Sequence, residues 1–118
     1  MKQEELNKES LVVIWSSRDI DVANELAFPY AYNSQMNQWW YEVTFVVWGP
    51  SVLTLCESKE LQTKIEDMLD AGLIVEACKA CTDNYGKTEE LEKIGIKVKY
   101  MGVPLTNYLK DGRKVLTF

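Results

Sequence analysis

The apolar positions of this chain fall into two rhythms. The stretches "LVVIWSS" (11–17), "YEVTFVVWGPS" (41–51) and "LIVEA" (73–77) are nearly continuous in apolar character, the pattern of strands buried on both faces. Between them the apolar residues are spaced out. In "RDIDVANELAFPYAYNSQMNQWW" Ile20, Ala23, Ala27, Tyr30 and Ala31 recur at helical spacing, so a long helix is expected, capped by Asp19 or Asp21 and bent at Pro29. In "SKELQTKIEDMLDAG" Leu61, Ile65, Met68 and Leu69 share one face, with Ser58 as N-cap and Gly72 as the left-handed residue past the end. "CKACTDNYG" is expected as a loop or short helix, and "KTEELEKIG" as a short helix capped by Thr88 and stopped by Gly95. A fourth strand "IKVKYMG", a last helix "VPLTNYLKDG" with Pro104 in its first turn, and a fifth strand "RKVLTF" complete the chain. "SVLTLCESK", carrying Cys56, falls between elements, and the first ten residues are expected as a loose start with about one helical turn.

Strands alternating with helices, the first three strands without in-out alternation, predict an α/β domain on a mainly parallel sheet covered on both faces. Right-handed crossovers bring every strand-to-helix loop to one edge. In such sheets ligands gather outside the carboxyl ends of the strands, so "SSRD", "WGPS", "ACKAC" and "MGVPLT" are expected to share one rim.

With 118 residues there is room for one domain, 1–118, with residues 1–10 as an N-terminal extension. The formal net charge of -5 and the scattered Lys and Arg oppose a nucleic-acid partner, because counterion release needs clustered cations. "MKQEELNKES" lacks a secretory h-region and no apolar run is long enough to span a bilayer; no membrane partner is expected, and a cytoplasmic location is. Three cysteines are an odd number and histidine is absent. The first fits a reducing compartment and the second removes the usual general base and zinc ligand, leaving thiols, carboxylates, hydroxyls and lysines to do any chemistry.

The chemistry that stands out is "CKAC". Tetrahedral zinc wants four ligands and this motif supplies two, with only Cys56 and carboxylates to complete the set, so no metal is expected. As a redox pair, Cys78 and Cys81 would open a helix after a buried strand, where N–H groups and the Lys79 charge favour a thiolate; one thiol attacks and the other resolves. As packing, both would be inert core thiols, and Cys56 is taken as packing too. Ser16, Ser17, Arg18 and Ser51 offer anion-binding donors near helix starts, and Ser16, Ser17, Trp48, Gly49 and Ser51 form the expected surroundings of the thiols on the rim. Neither a G-x-G-x-x-G nor a G-x-x-x-x-G-K pattern is present, so no nucleotide cofactor is expected. "WWYE" (39–42) joins a helix to a strand; its aromatics are expected in packing or against a partner subunit. The acidic runs "EELEK" and "KIEDM" are solvated helix faces.

A strand ending in Cys78 followed eight residues later by Gly86, with "VVWGPS", "EKIGIKVKYMGVPLT" and "KVLTF" around it, resembles the DsrE/DsrF-like sulfur-metabolism family, in its C-x-x-C branch, over nearly the full chain. Between the two positions stands "TDNY", where relay-type members can show an arginine pair. The resemblance implies a three-layer α/β/α Rossmann-like fold with a five-stranded, mainly parallel sheet, assembly into a homo-oligomer such as a trimer or hexamer, and sulfur donor and acceptor proteins as partners. It also implies that Cys78 accepts sulfane sulfur as a persulfide and hands it on, with no cofactor. Cys81 matches only the C-x-x-C branch. The residues alone leave three readings open: sulfur relay, a thiol-disulfide or peroxide-related redox protein using Cys78 and Cys81, and a non-catalytic oligomeric binding module.

Overall fold

The three continuous apolar runs become the middle of one sheet in the computed structural model, which describes residues 2–118. Strands β1 (Ser10–Trp15), β2 (Glu42–Val47) and β3 (Ile74–Cys78) lie side by side, with β4 (Lys97–Lys99) beyond β3 and β5 (Lys114–Thr117) beyond β1. The order is β4-β3-β2-β1-β5 and every pairing is parallel. The two strands that carry lysines are the two edges, where charge discourages pairing with another chain.

From β1 to β4 the chain steps in one direction across the sheet, and only the last crossover returns. Right-handed crossovers therefore send the helices of the first three connections to one face and the last helix to the other. The first layer holds α2 (Ile20–Val22), a π-helical turn (Ala23–Ala27), α3 (Phe28–Met36), α4 (Ser51–Glu57), α5 (Lys59–Asp70), α6 (Lys79–Asn84) and α7 (Thr88–Ile94). These bury the larger core: Leu11, Val13, Trp15, Val43, Phe45, Val47, Val75 and Ala77 from the sheet meet Phe28, Leu55, Leu61, Ile65, Met68 and Leu91 from the helices. Trp15 and Phe45 each lie against Phe28 edge-on, with ring centroids 4.9 and 5.0 Å away. On the opposite face α8 (Gly102–Lys110) alone crosses the sheet. There Met101, Leu105 and Tyr108 cover Val12, Ile14, Val46, Cys78 and Val115. The result is a three-layer α/β/α Rossmann-like fold.

Four local expectations are corrected. The long helix does not simply bend at Pro29. Proline has no N–H and its ring crowds the carbonyl four residues back, and the preceding turn widens so that the Phe28 N–H donates to the Ala23 carbonyl five residues earlier. "SVLTLCE" is a helix, α4, so Cys56 lies on an element and not between elements. Thr88 does not cap α7: Lys87 holds that position, and the Thr88 hydroxyl, one residue inside, bonds Asp83 and Thr82. The helical turn expected near the start is longer than one turn, and Ser10 already belongs to β1. Helix α1 occupies Gln3–Lys8, with Glu4 and Glu5 in its first turn and Lys8 in its last, charges that complement the helix dipole.

Candidate functional site

The carboxyl ends of β1, β2, β3 and β4 sit level. Trp15 pairs with Val47, Val47 with Ala77 and Cys78 with Lys99. The loops that follow are stitched together: the Trp48 N–H donates to the Trp15 carbonyl (3.1 Å) and the Ser51 N–H to the Ser16 carbonyl (3.2 Å). The four predicted loops thus share one rim.

Cys78 is both the last residue of β3 and the residue before α6. Side chains alternate along a strand, so with Ala77 in the main core Cys78 turns toward the α8 layer, where Val12, Ile14, Val46 and Met101 leave it 5% exposed. Cys81, in the first turn of α6, is only partly buried and touches both cores. The two thiols are neighbours in the α8-side core. The backbone donor that reaches this pair, among the described residues, comes from the β2 loop: the Gly49 N–H donates to Cys81 Sγ at 3.3 Å. Gly49 has φ of +74°, a backbone state that glycine takes without the Cβ penalty other residues meet. That conformation aims its amide at the sulfur.

Burial pushes the Cys81 thiol up, the Cys78 thiol adds to the effect, and the Gly49 N–H opposes both. The Cys81 thiol therefore favours its protonated form, with one donor in position for a sulfur anion once the proton leaves. Cys56 is a different thiol. Burial first, and a hydrogen bond with Glu90 second, push it up to about 11, and it packs against the main core.

The remaining predicted residues are placed as follows. Lys79 directs its ammonium at Asp83 (2.8 Å) and over the Tyr100 ring (5.7 Å). Ser16 Oγ donates to the Phe118 carbonyl (3.0 Å), Ser17 Oγ accepts from the Asp19 N–H (3.1 Å), and Ser51 Oγ donates to the Trp15 carbonyl (2.6 Å). These hydroxyls tie the rim together. Arg18 pairs with Glu57 (2.8 Å). Trp48 and Gly49 stay close to the thiols, the first by packing on the α8-side core and the second by its N–H. No group of three or more Cys, His, Asp or Glu side chains is arranged to hold a metal ion among the described residues, and no helix there is long and apolar enough to cross a membrane.

One neighbour of Cys78 was not anticipated. Glu76, two positions earlier on the same face of β3, is 2% exposed; it accepts from the Tyr108 hydroxyl (2.6 Å) and pairs with Lys99. The signal was available in "LIVEA", because a carboxylate inside an apolar strand needs partners.

The solved structure of BT1422, a conserved protein of unknown function from Bacteroides thetaiotaomicron, superposes with a TM-score of 0.89 at 36% identity, over 93% of this chain and 95% of that one. This chain belongs to the BT1422 family. The crystal structure of ychN from E. coli superposes with a TM-score of 0.72 at 18% identity, over 92% of this chain and 97% of its own, which is a likeness of fold. No protein-family profile matches the chain, and no curated protein does.

Proposed function

We propose that this BT1422-family protein is a DsrE-like sulfur carrier of the cytoplasm, in which the Cys78/Cys81 pair accepts sulfane sulfur as a persulfide and passes it to another protein. The observation that carries the reading is the pair of neighbouring thiols where β3 passes into α6, with the Gly49 N–H donating to Cys81 Sγ at 3.3 Å. It is joined by the Cys78 and Gly86 spacing of the DsrE/DsrF-like resemblance and by a fold of the kind that resemblance calls for. The chemistry needs no histidine and no cofactor. A thiolate attacks the terminal sulfur of the donor persulfide, the donor's S–S bond breaks, and the donor leaves as a thiolate. Exposed Tyr100, Val103 and Leu109 on and beside α8 fit contact with further copies of the chain or with relay partners.

The contact between the two thiols also favours a second reading, a thiol-disulfide or peroxide-related redox protein closing a Cys78–Cys81 disulfide. Intact-protein mass spectrometry separates the two. After exposure to polysulfide and removal of free sulfur, the carrier reading expects a gain of one or more sulfur atoms in the wild type that is absent when both cysteines are replaced by serine. Loss of two hydrogens with no sulfur gain, after mild peroxide and after polysulfide alike, would select the redox reading instead.

A further inference from the structure

The two thiols of the pair are not equally reachable. Cys78 is 5% exposed and enclosed by Val12, Ile14, Val46 and Met101, whereas Cys81 is only partly buried and sits beside the Trp48–Gly49 turn. A donor has to bring its terminal sulfur into line with the attacking sulfur, and a thiol under the α8 layer offers no such approach. Resting on the carrier reading, we propose that Cys81 is the receiving thiol, which takes sulfane sulfur from the donor and passes it inward to Cys78, while the Gly49 N–H holds the charge that forms on Cys81 Sγ.

Each step balances. Cys81 loses its proton and attacks the terminal sulfur of the donor persulfide; a Cys81 Sγ–S bond forms, the donor's S–S bond breaks, and the electron pair leaves on the donor thiolate, which takes up the proton. Cys78, deprotonated in turn, attacks the terminal sulfur now on Cys81. A Cys78 Sγ–S bond forms, the Cys81 Sγ–S bond breaks, and Cys81 leaves as a thiolate. The sulfane sulfur keeps its oxidation state throughout, so neither oxidant nor reductant is consumed. The leaving charge falls on the sulfur that the Gly49 N–H already contacts at 3.3 Å. Attack of Cys78 on Cys81 Sγ itself would expel hydrosulfide and close the disulfide, discarding the cargo. Burial of Cys78 then stores the persulfide away from water and from stray thiols, until Cys81 takes the terminal sulfur back by the reverse exchange and offers it to the acceptor.

Two measurements on the full chain test this. Trypsin cuts after Lys79, so Cys78 and Cys81 fall on separate peptides. In the native protein under limiting iodoacetamide, the Cys81 peptide is expected to be alkylated about tenfold faster than the Cys78 peptide, with the difference abolished in denaturant. Equal native rates, or Cys78 first, would overturn the proposal. In the second measurement the probe is glutathione persulfide. Cys78→Ser is expected to carry its added sulfur on the Cys81 peptide, where the wild type carries it on the Cys78 peptide, and Cys81→Ser and Cys81→Ala to load about tenfold more slowly while keeping the wild-type circular dichroism spectrum. Wild-type loading in both Cys81 variants would overturn the proposal and leave the carrier reading standing. A wild type that takes up no sulfur would sink the carrier reading, and the order of alkylation would still decide which thiol meets the solvent.

Discussion

A carboxylate in the middle of a sheet must be held by partners, and Glu76 has them in Tyr108 and Lys99. Replacing Tyr108 by phenylalanine removes the hydroxyl and leaves the carboxylate one donor short. The expected cost is about 1–3 kcal/mol in urea unfolding. The same pair sets a pH dependence. Burial, and then the Glu76 carboxylate, push the Tyr108 phenol up from its ordinary value, so folding favours the protonated form. That contribution is whole below the unfolded tyrosine value and is lost as pH rises through the higher folded one. Between about pH 9 and about pH 11 the urea midpoint of the wild type should therefore fall further than that of Tyr108→Phe; parallel curves would remove Tyr108 from the account. Cys56, with its thiol pushed up to about 11, should stay protonated at neutral pH. Cys56→Ser is expected to leave sulfur uptake unchanged in the mass spectrum, and a loss of loading would make it a third working thiol.

Among the elements, α5 is the most explicit in its own sequence. Ser58 accepts from the Leu61 N–H at 3.1 Å, and Leu61, Ile65 and Met68 are buried in one stripe. Ser58→Ala should lower stability by about 1 kcal/mol, read as a shift in the urea midpoint. That element, the three central strands and the cysteine rim were legible because each is written in a run of residues long enough to show its period. Helix α4 was not: its seven residues span about two turns, too few for a period, and Val52 and Thr54 are β-branched and favour strands. The π-helical turn was also hidden, since Pro29 announces a disturbance without saying how the helix absorbs it. At the site, the pairing of Cys78 with Cys81 was legible from spacing. The Gly49 amide was not, because a contact across 32 positions of sequence depends on how β2 and β3 align. The unequal burial of the two thiols likewise comes from α8, a helix remote in sequence.

At the scale of the molecule the two faces of the sheet are unequally covered: a helical layer on one side, and α8 alone on the other, with Val103 and Leu109 exposed on it. Apolar side chains so placed are expected to meet a second copy of the chain. Sedimentation should then return a multiple of 13.6 kDa, and Val103→Glu with Leu109→Lys should shift the protein toward the monomer; a wild type that sediments as a monomer would leave that face to other partners. The strand order has a further consequence, for synthesis. β1 leaves the ribosome about a hundred residues before one of its two neighbours, β5, with Leu11 waiting for Lys114 and Ile14 for Thr117. Until then a strand that is apolar from Leu11 to Trp15 presents an unpaired edge, the kind of surface on which nascent chains aggregate. Translation pauses before β5, or loss of that strand, should therefore send this protein to chaperones or into inclusion bodies long before any defect in its thiol chemistry is felt.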